Sequence, residues 1–84
     1  MNPTTVITKT GRKLIIEHVQ PDPFNTMTRT ENIKDGYKVT TICGSSKTVV
    51  EFFKWFRHDG SVYGTPIGIK MVDNALALLE ENNK

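Results

Sequence analysis

The residue types with chemical potential gather in one segment, Cys43-Gly44-Ser45-Ser46-Lys47-Thr48. A thiol at a helix N-terminus has a lowered pKa and can serve as a nucleophile. The phosphatase form of such a loop also needs an arginine just after the turn. Val49 and Val50 occupy that region, and no His–Asp or His–Asn partner is evident. A small buried thiol closing a strand is the simpler account of Cys43 and the one expected here. The same stretch carries the Lys-Thr end of a phosphate-binding P-loop, in which two glycines bracket four residues so that consecutive amides wrap the phosphates. Thr41 and Ser46 stand where those glycines belong. The segment therefore reads as a helix cap.

Histidines number two, His18 and His58, on different elements and with one cysteine between them in the whole chain. That is no metal-ligand spacing. Asp22, Asp35 and Asp59 each sit beside Pro or Gly, where aspartate serves turns. No two carboxylates are placed for acid–base work. The expectation is a protein that is not an enzyme, with no catalytic, cofactor or metal site.

The elements that would position these residues divide near Gly44. Before it, β-branched residues alternate; after it, apolar residues recur at helical spacing. Strands are expected at 4–9 and 13–19, joined by a hairpin in which Gly11 supplies positive φ. Pro21 and Pro23 then end pairing. A third strand is expected at about 27–34, a hairpin turn at Asp35-Gly36, and a fourth strand at 37–43. In the second half, Ser46 or Ser45 caps a first helix. Its stripe is Val49, Phe52, Phe53 and Phe56, and Gly60 provides the left-handed end. Thr65 caps a second helix with Pro66 at its first position and Ile69, Val72, Ala75, Leu76 and Leu79 as its stripe, widened by Met71 and Leu78. The wide stripe implies contact with both the sheet and the first helix. The expected fold is α+β: a four-stranded antiparallel sheet (β-β-β-β-α-α) with two C-terminal helices packed on one face. Phe53→Ala is then a core truncation costing about 3–5 kcal/mol.

Two features suggest binding. Trp55 lies at the edge of the first helix's stripe, where a half-exposed tryptophan is a favoured interface anchor. Packing under the 20–26 loop or the Val62-Tyr63 connection is the other reading. Lys9, Arg12, Lys13, Arg29, Lys34 and Lys38 all fall in the strand half, against Glu17, Asp22, Glu31 and Asp35, so the chain's +2 excess lies there. Several can share a solvent face with Tyr37, an arrangement that holds nucleic acid. Lysines interleaved on a sheet also serve simply to block aggregation.

The 84 residues, 37% hydrophobic and 24% charged, make a single domain spanning 1–84 with room for two layers around one core. No apolar run approaches the ~18 residues of a membrane span. The opening residues lack the pattern of a signal peptide. A single cysteine suits a reducing, cytoplasmic setting.

The order Ser46…Trp55-Phe56, a link bearing Gly60 and Gly64, then Asp73-Asn74-Ala75-Leu76 resembles the helical hairpin of small phage-encoded anti-CRISPR proteins. The resemblance covers at most residues 46–79. It implies a non-enzymatic inhibitor that sits on a surveillance complex and blocks DNA access, and no binding residue is carried over from it. The leading expectation is thus a protein-binding module, with Trp55 as an anchor. The alternative is a nucleic-acid module using Lys9, Arg12, Lys13, Arg29 and Lys38 with Tyr37 as a stacking platform. The free sheet edge leaves room for a homodimer.

Overall fold

The fold is that of a computed structural model and is described for residues 3–43 and 45–82. It is α+β. Five strands, β1 (Thr4–Ile7), β2 (Lys13–Val19), β3 (Ile33–Cys43), β4 (Thr48–Arg57) and β5 (Val62–Tyr63), form one antiparallel sheet in chain order. A short helix α1 (Thr26–Thr30) interrupts β2 and β3, and a long helix α2 (Pro66–Asn82) lies across one face.

The β1–β2 hairpin forms as its residues dictate. Gly11 takes φ 86° and its N–H donates to the Thr8 carbonyl at 2.9 Å, closing the turn. The second expected helix also forms where Thr65 and Pro66 place it. The Thr65 hydroxyl accepts the Gly68 N–H at 3.0 Å, satisfying one orphan donor of the first turn.

The first expected helix is a strand. Residues 48–57 pair with β3 over their whole length, from Cys43↔Thr48 to Ile33↔Arg57. The spacing of Val49, Phe52, Phe53 and Phe56 fits a helical stripe. It also fits a strand that is apolar on both faces, and β-branched and aromatic side chains favour the pleated surface. Gly60 does adopt positive φ, 89°, but in the β4–β5 turn. Ser45 and Ser46 belong to the β3–β4 connection, where the Ser46 hydroxyl lies 2.8 Å from that of Thr48. Cys43 ends one strand before another begins, and no helix follows it. The two-helix hairpin across 46–79 is therefore not formed.

Two further expectations change. The strand expected at 27–34 is α1 over its first half, with β3 beginning only at Ile33. Asn25 caps it, its Oδ1 accepting the Met27 N–H at 2.9 Å, while the Thr28 hydroxyl lies 2.7 Å from the Asp22 carbonyl. Local side-chain bonds of this kind outcompete pairing in a threonine-rich stretch. The hairpin turn expected at Asp35-Gly36 lies inside β3, at an irregularity between Ile33 and Asp35. Gly36 is needed there for room: a Cβ would stand 2.5 Å from Trp55 Cε3 and 2.7 Å from the Lys54 carbonyl oxygen.

Alternation sorts the sheet into two faces. Val6, Leu14, Ile16 and Val39 point to α2 and form the core with Val72 and Ala75. Tyr37, Met71, Leu76, Leu78 and Leu79 pack around them. Thr41 shares this face, and its buried hydroxyl donates to the Lys13 carbonyl at 3.0 Å. The wide stripe of α2 is spent on the sheet alone: its contacts run to β4, β1, β3 and β2.

Candidate functional site: the open face of the sheet

Among the described residues, no helix covers the other face. Its side chains follow from the register as Ile7 on β1, Lys13, Ile15 and Glu17 on β2, Lys38, Thr40 and Ile42 on β3, and Val49, Glu51, Phe53 and Trp55 on β4. Apolar residues reach solvent at one end. Ile7, Ile15, Ile42 and Val49 are all exposed, the last two at 59% and 62%. Ile15, Ile42 and Val49 border a depression of about 750 Å³ rimmed by Arg12 and Lys13. At the other end the rings of Phe53 and Trp55 stack, with centroids 5.6 Å apart. Tyr63 stands opposite Trp55 on β5.

Between the two apolar ends lies an ionic bridge. Lys38 Nζ is 3.2 Å from Glu17 and 3.5 Å from Glu51. The hydrogen bond to Glu17, reinforced by the charges of both carboxylates, holds the ammonium's pKa above the ordinary lysine value against some desolvation. The bridge spans β2, β3 and β4, and its one cation is outnumbered. The open face thus carries two exposed apolar areas separated by a charge cluster.

The structure gathers some expected site residues and separates others. Trp55, Lys38 and Lys13 share the open face, with Lys9 and Arg12 beside the β1–β2 turn at its end. Tyr37 does not join them. It shares the parity of Val39, a core residue, and packs on the α2 side, 5.2 Å from the His18 ring and 6.1 Å from Phe56. Arg29 lies on α1 rather than on a strand. Trp55 does not border a helical stripe; it lies within β4, over Gly36 of β3 and opposite Tyr63 of β5. Ile7, Ile15, Ile42, Val49 and Phe53 were not singled out as surface residues. On β1 and β2 the signal was present in the alternation, with core Val6 beside Ile7 and core Ile16 beside Ile15; on β4, where Val49 and Phe53 lie, no such contrast exists.

The α2 side carries a second polar group. His18 Nε2 lies 2.9 Å from Asp35 Oδ2, and Lys54 donates to Asp73 of α2 at 2.6 Å while its ammonium lies 5.4 Å from the Phe56 ring. These pairs tie β2 to β3 and β4 to α2. No group of three or more His, Cys, Asp or Glu side chains that could hold a metal ion occurs among the described residues. Nor is any described helix long and apolar enough to cross a membrane. Comparison with protein-family models, curated proteins and solved structures finds no match to this chain.

Proposed function

We propose that this chain is a small non-enzymatic binding protein that acts by occupying a surface of a protein partner with the open face of its sheet. One observation carries the reading: the uncovered face holds exposed Ile7, Ile15, Ile42 and Val49 at one end and the Phe53–Trp55 stack at the other. Aromatic anchors and aliphatics on a rigid sheet bind with little loss of side-chain freedom. The basic rim at Arg12 and Lys13 suits a partner whose apolar patch is bordered by acidic residues. The narrower expectation, a phage-type inhibitor of a CRISPR complex, draws on a helical hairpin that residues 46–79 do not form. No other feature of the fold points to it.

Nucleic acid is the competing ligand class. Its expected surface has lost three parts: Tyr37 faces α2, Arg29 lies on α1, and Lys38 is held between carboxylates. The test is capture of host proteins on immobilised chain, comparing wild type with Ile42→Lys and Trp55→Ala, and with Lys70→Ala on the exposed side of α2 as control. Specific proteins lost with the two face variants and kept with the control are expected. No protein captured, together with salt-sensitive binding of labelled DNA or RNA that Arg12→Ala/Lys13→Ala weakens, would replace this reading with the nucleic-acid one.

A further inference from the structure

The sheet has two edges, and they are not equally closed. The β1 edge is four residues long and begins directly after Pro3, which has no N–H to offer a ladder. The other edge is more open. β4 runs ten residues, but β5 pairs with it only at Trp55 and Phe56. The direction of its free groups is fixed by what they meet further along. The Arg57 N–H donates outward to the Ser61 carbonyl at 2.8 Å. At Phe53 the outward N and O face the start of α2, where a Cβ on Gly68 would stand 2.9 Å from the oxygen. Period two then aims the amide and carbonyl of Val49 and Glu51 outward as well. Among the described residues no strand pairs there. The stretch Thr-Val-Val-Glu-Phe (48–52) has no Pro or Lys, the usual edge blockers, and its one charge, Glu51, is engaged by Lys38.

We propose that this edge is a homodimer interface, in which residues 48–52 of β4 pair antiparallel with the same residues of a second copy across a two-fold axis at Val50. Outward groups must meet outward groups, so Val49 pairs with the partner's Glu51 and Glu51 with the partner's Val49. Thr48 then stands opposite Phe52. Centring the pair on Glu51 would set two carboxylates face to face, which disfavours it. Centring it on Phe52 would drive the partner into the residues that α2 already holds against Phe53. The Val50 register uses every free residue and avoids both. A depression of about 400 Å³ bounded by Glu51, Phe53, Tyr63 and Thr65 lies where the partner's Thr48 end arrives. The two sheets join into one of ten strands, with both copies of α2 on the same side. This dimer is independent of the open-face reading, since it uses backbone groups at the edge.

Sedimentation equilibrium should give twice the chain's 9.5 kDa mass at micromolar concentration. Val49→Pro removes an outward N–H and no bond to β3, so it should give a folded monomer. The register is read by a thiol trap. With Cys43→Ser as background, Val50→Cys meets its own copy at a non-hydrogen-bonded pair, where Cα atoms lie about 4.5 Å apart and a disulfide fits. Mild oxidation should give a covalent dimer from Val50→Cys and none from Ile42→Cys. A wild-type chain that stays monomeric up to millimolar concentration, or a Val50→Cys chain that cross-links no faster than Ile42→Cys, would overturn the proposal. The trap decides even if the proline variant fails to fold.

Discussion

Phe53 and Trp55 lie side by side on β4 with their ring planes 6° from parallel. Two residues apart on a strand means one face, and Trp55 stands opposite Gly36 in the β3 register. The missing side chain there lets the indole lie flat across the neighbouring backbone. The stack is thus built by a glycine on another strand.

Gly36→Ala tests that dependence. The added Cβ would meet Trp55 Cε3 at 2.5 Å and the Lys54 carbonyl oxygen at 2.7 Å. The ring can swing away, but the carbonyl belongs to the β3–β4 ladder. Overpacking of this kind costs about 1–3 kcal/mol. The melting temperature should fall, and the emission of the single tryptophan should move to longer wavelength as the indole is pushed into solvent. Unchanged stability and emission would place the indole elsewhere.

The second prediction concerns where the core lies. Ile16 is 0% exposed among Val6, Leu14, Val39, Val72 and Ala75, so Ile16→Ala should cost about 2–5 kcal/mol. Phe53 sits on the open face, and Phe53→Ala forfeits chiefly the stack on Trp55, about 1 kcal/mol. The helical reading of β4 demanded a core cost for Phe53. Urea melts of the two variants, taken together, decide between the facings.

That contrast shows how far the residues could be read. The β1–β2 hairpin and α2 were legible because their signals are local: Gly11 at positive φ, and Thr65-Pro66 ahead of a long apolar stripe. β4 was not legible. Its apolar residues lie on both faces, so no period-two contrast marked it, and its ladder partners stand up to 24 positions away, as Ile33↔Arg57. Asp35-Gly36 misled for a related reason. The glycine answers a tryptophan across the sheet, a demand that no neighbour in sequence announces. At the site, Trp55 and Lys38 were found by residue type. The exposed isoleucines and Val49 were missed because aliphatic residues read as core until their parity is known.

A third prediction follows from Arg57, which fastens α1 to the far end of the sheet. Its Nε donates to the Glu31 carbonyl at 3.1 Å, another nitrogen bonds the Glu31 carboxylate, and a third reaches the Ser61 hydroxyl and the Val62 carbonyl. The guanidinium also lies 5.2 Å from the Tyr63 ring. A lysine keeps the charge but cannot fork to these partners. Arg57→Lys should destabilise by about 1 kcal/mol, a figure held down because the Glu31 pair is partly open to solvent. Amide exchange should quicken at His58, whose N–H donates to Asn32, and across α1, while β2 stays protected. Uniform acceleration throughout the sheet would mean that Arg57 supports the whole fold.

The last prediction concerns alkaline pH and the bridge across the open face. The hydrogen bond to Glu17, with the charge of Glu51 added, raises the Lys38 pKa above its ordinary value. The sign follows from linkage: the folded chain holds this proton more tightly than the unfolded one, so the bridge stabilises fully below about pH 10.4, the ordinary lysine value. As pH rises through the raised folded value the ammonium is lost, and Glu17 and Glu51 are left facing each other across β3. Lys38→Met removes the group that titrates while keeping an apolar stem of similar reach. The quantity to follow is the difference in melting temperature between wild type and variant, which cancels whatever the two chains share. It should be constant from pH 7 to about pH 10 and shrink above that. A difference that grows with alkaline pH would mean that Lys38 is held less tightly when folded, and that the carboxylates do not engage it.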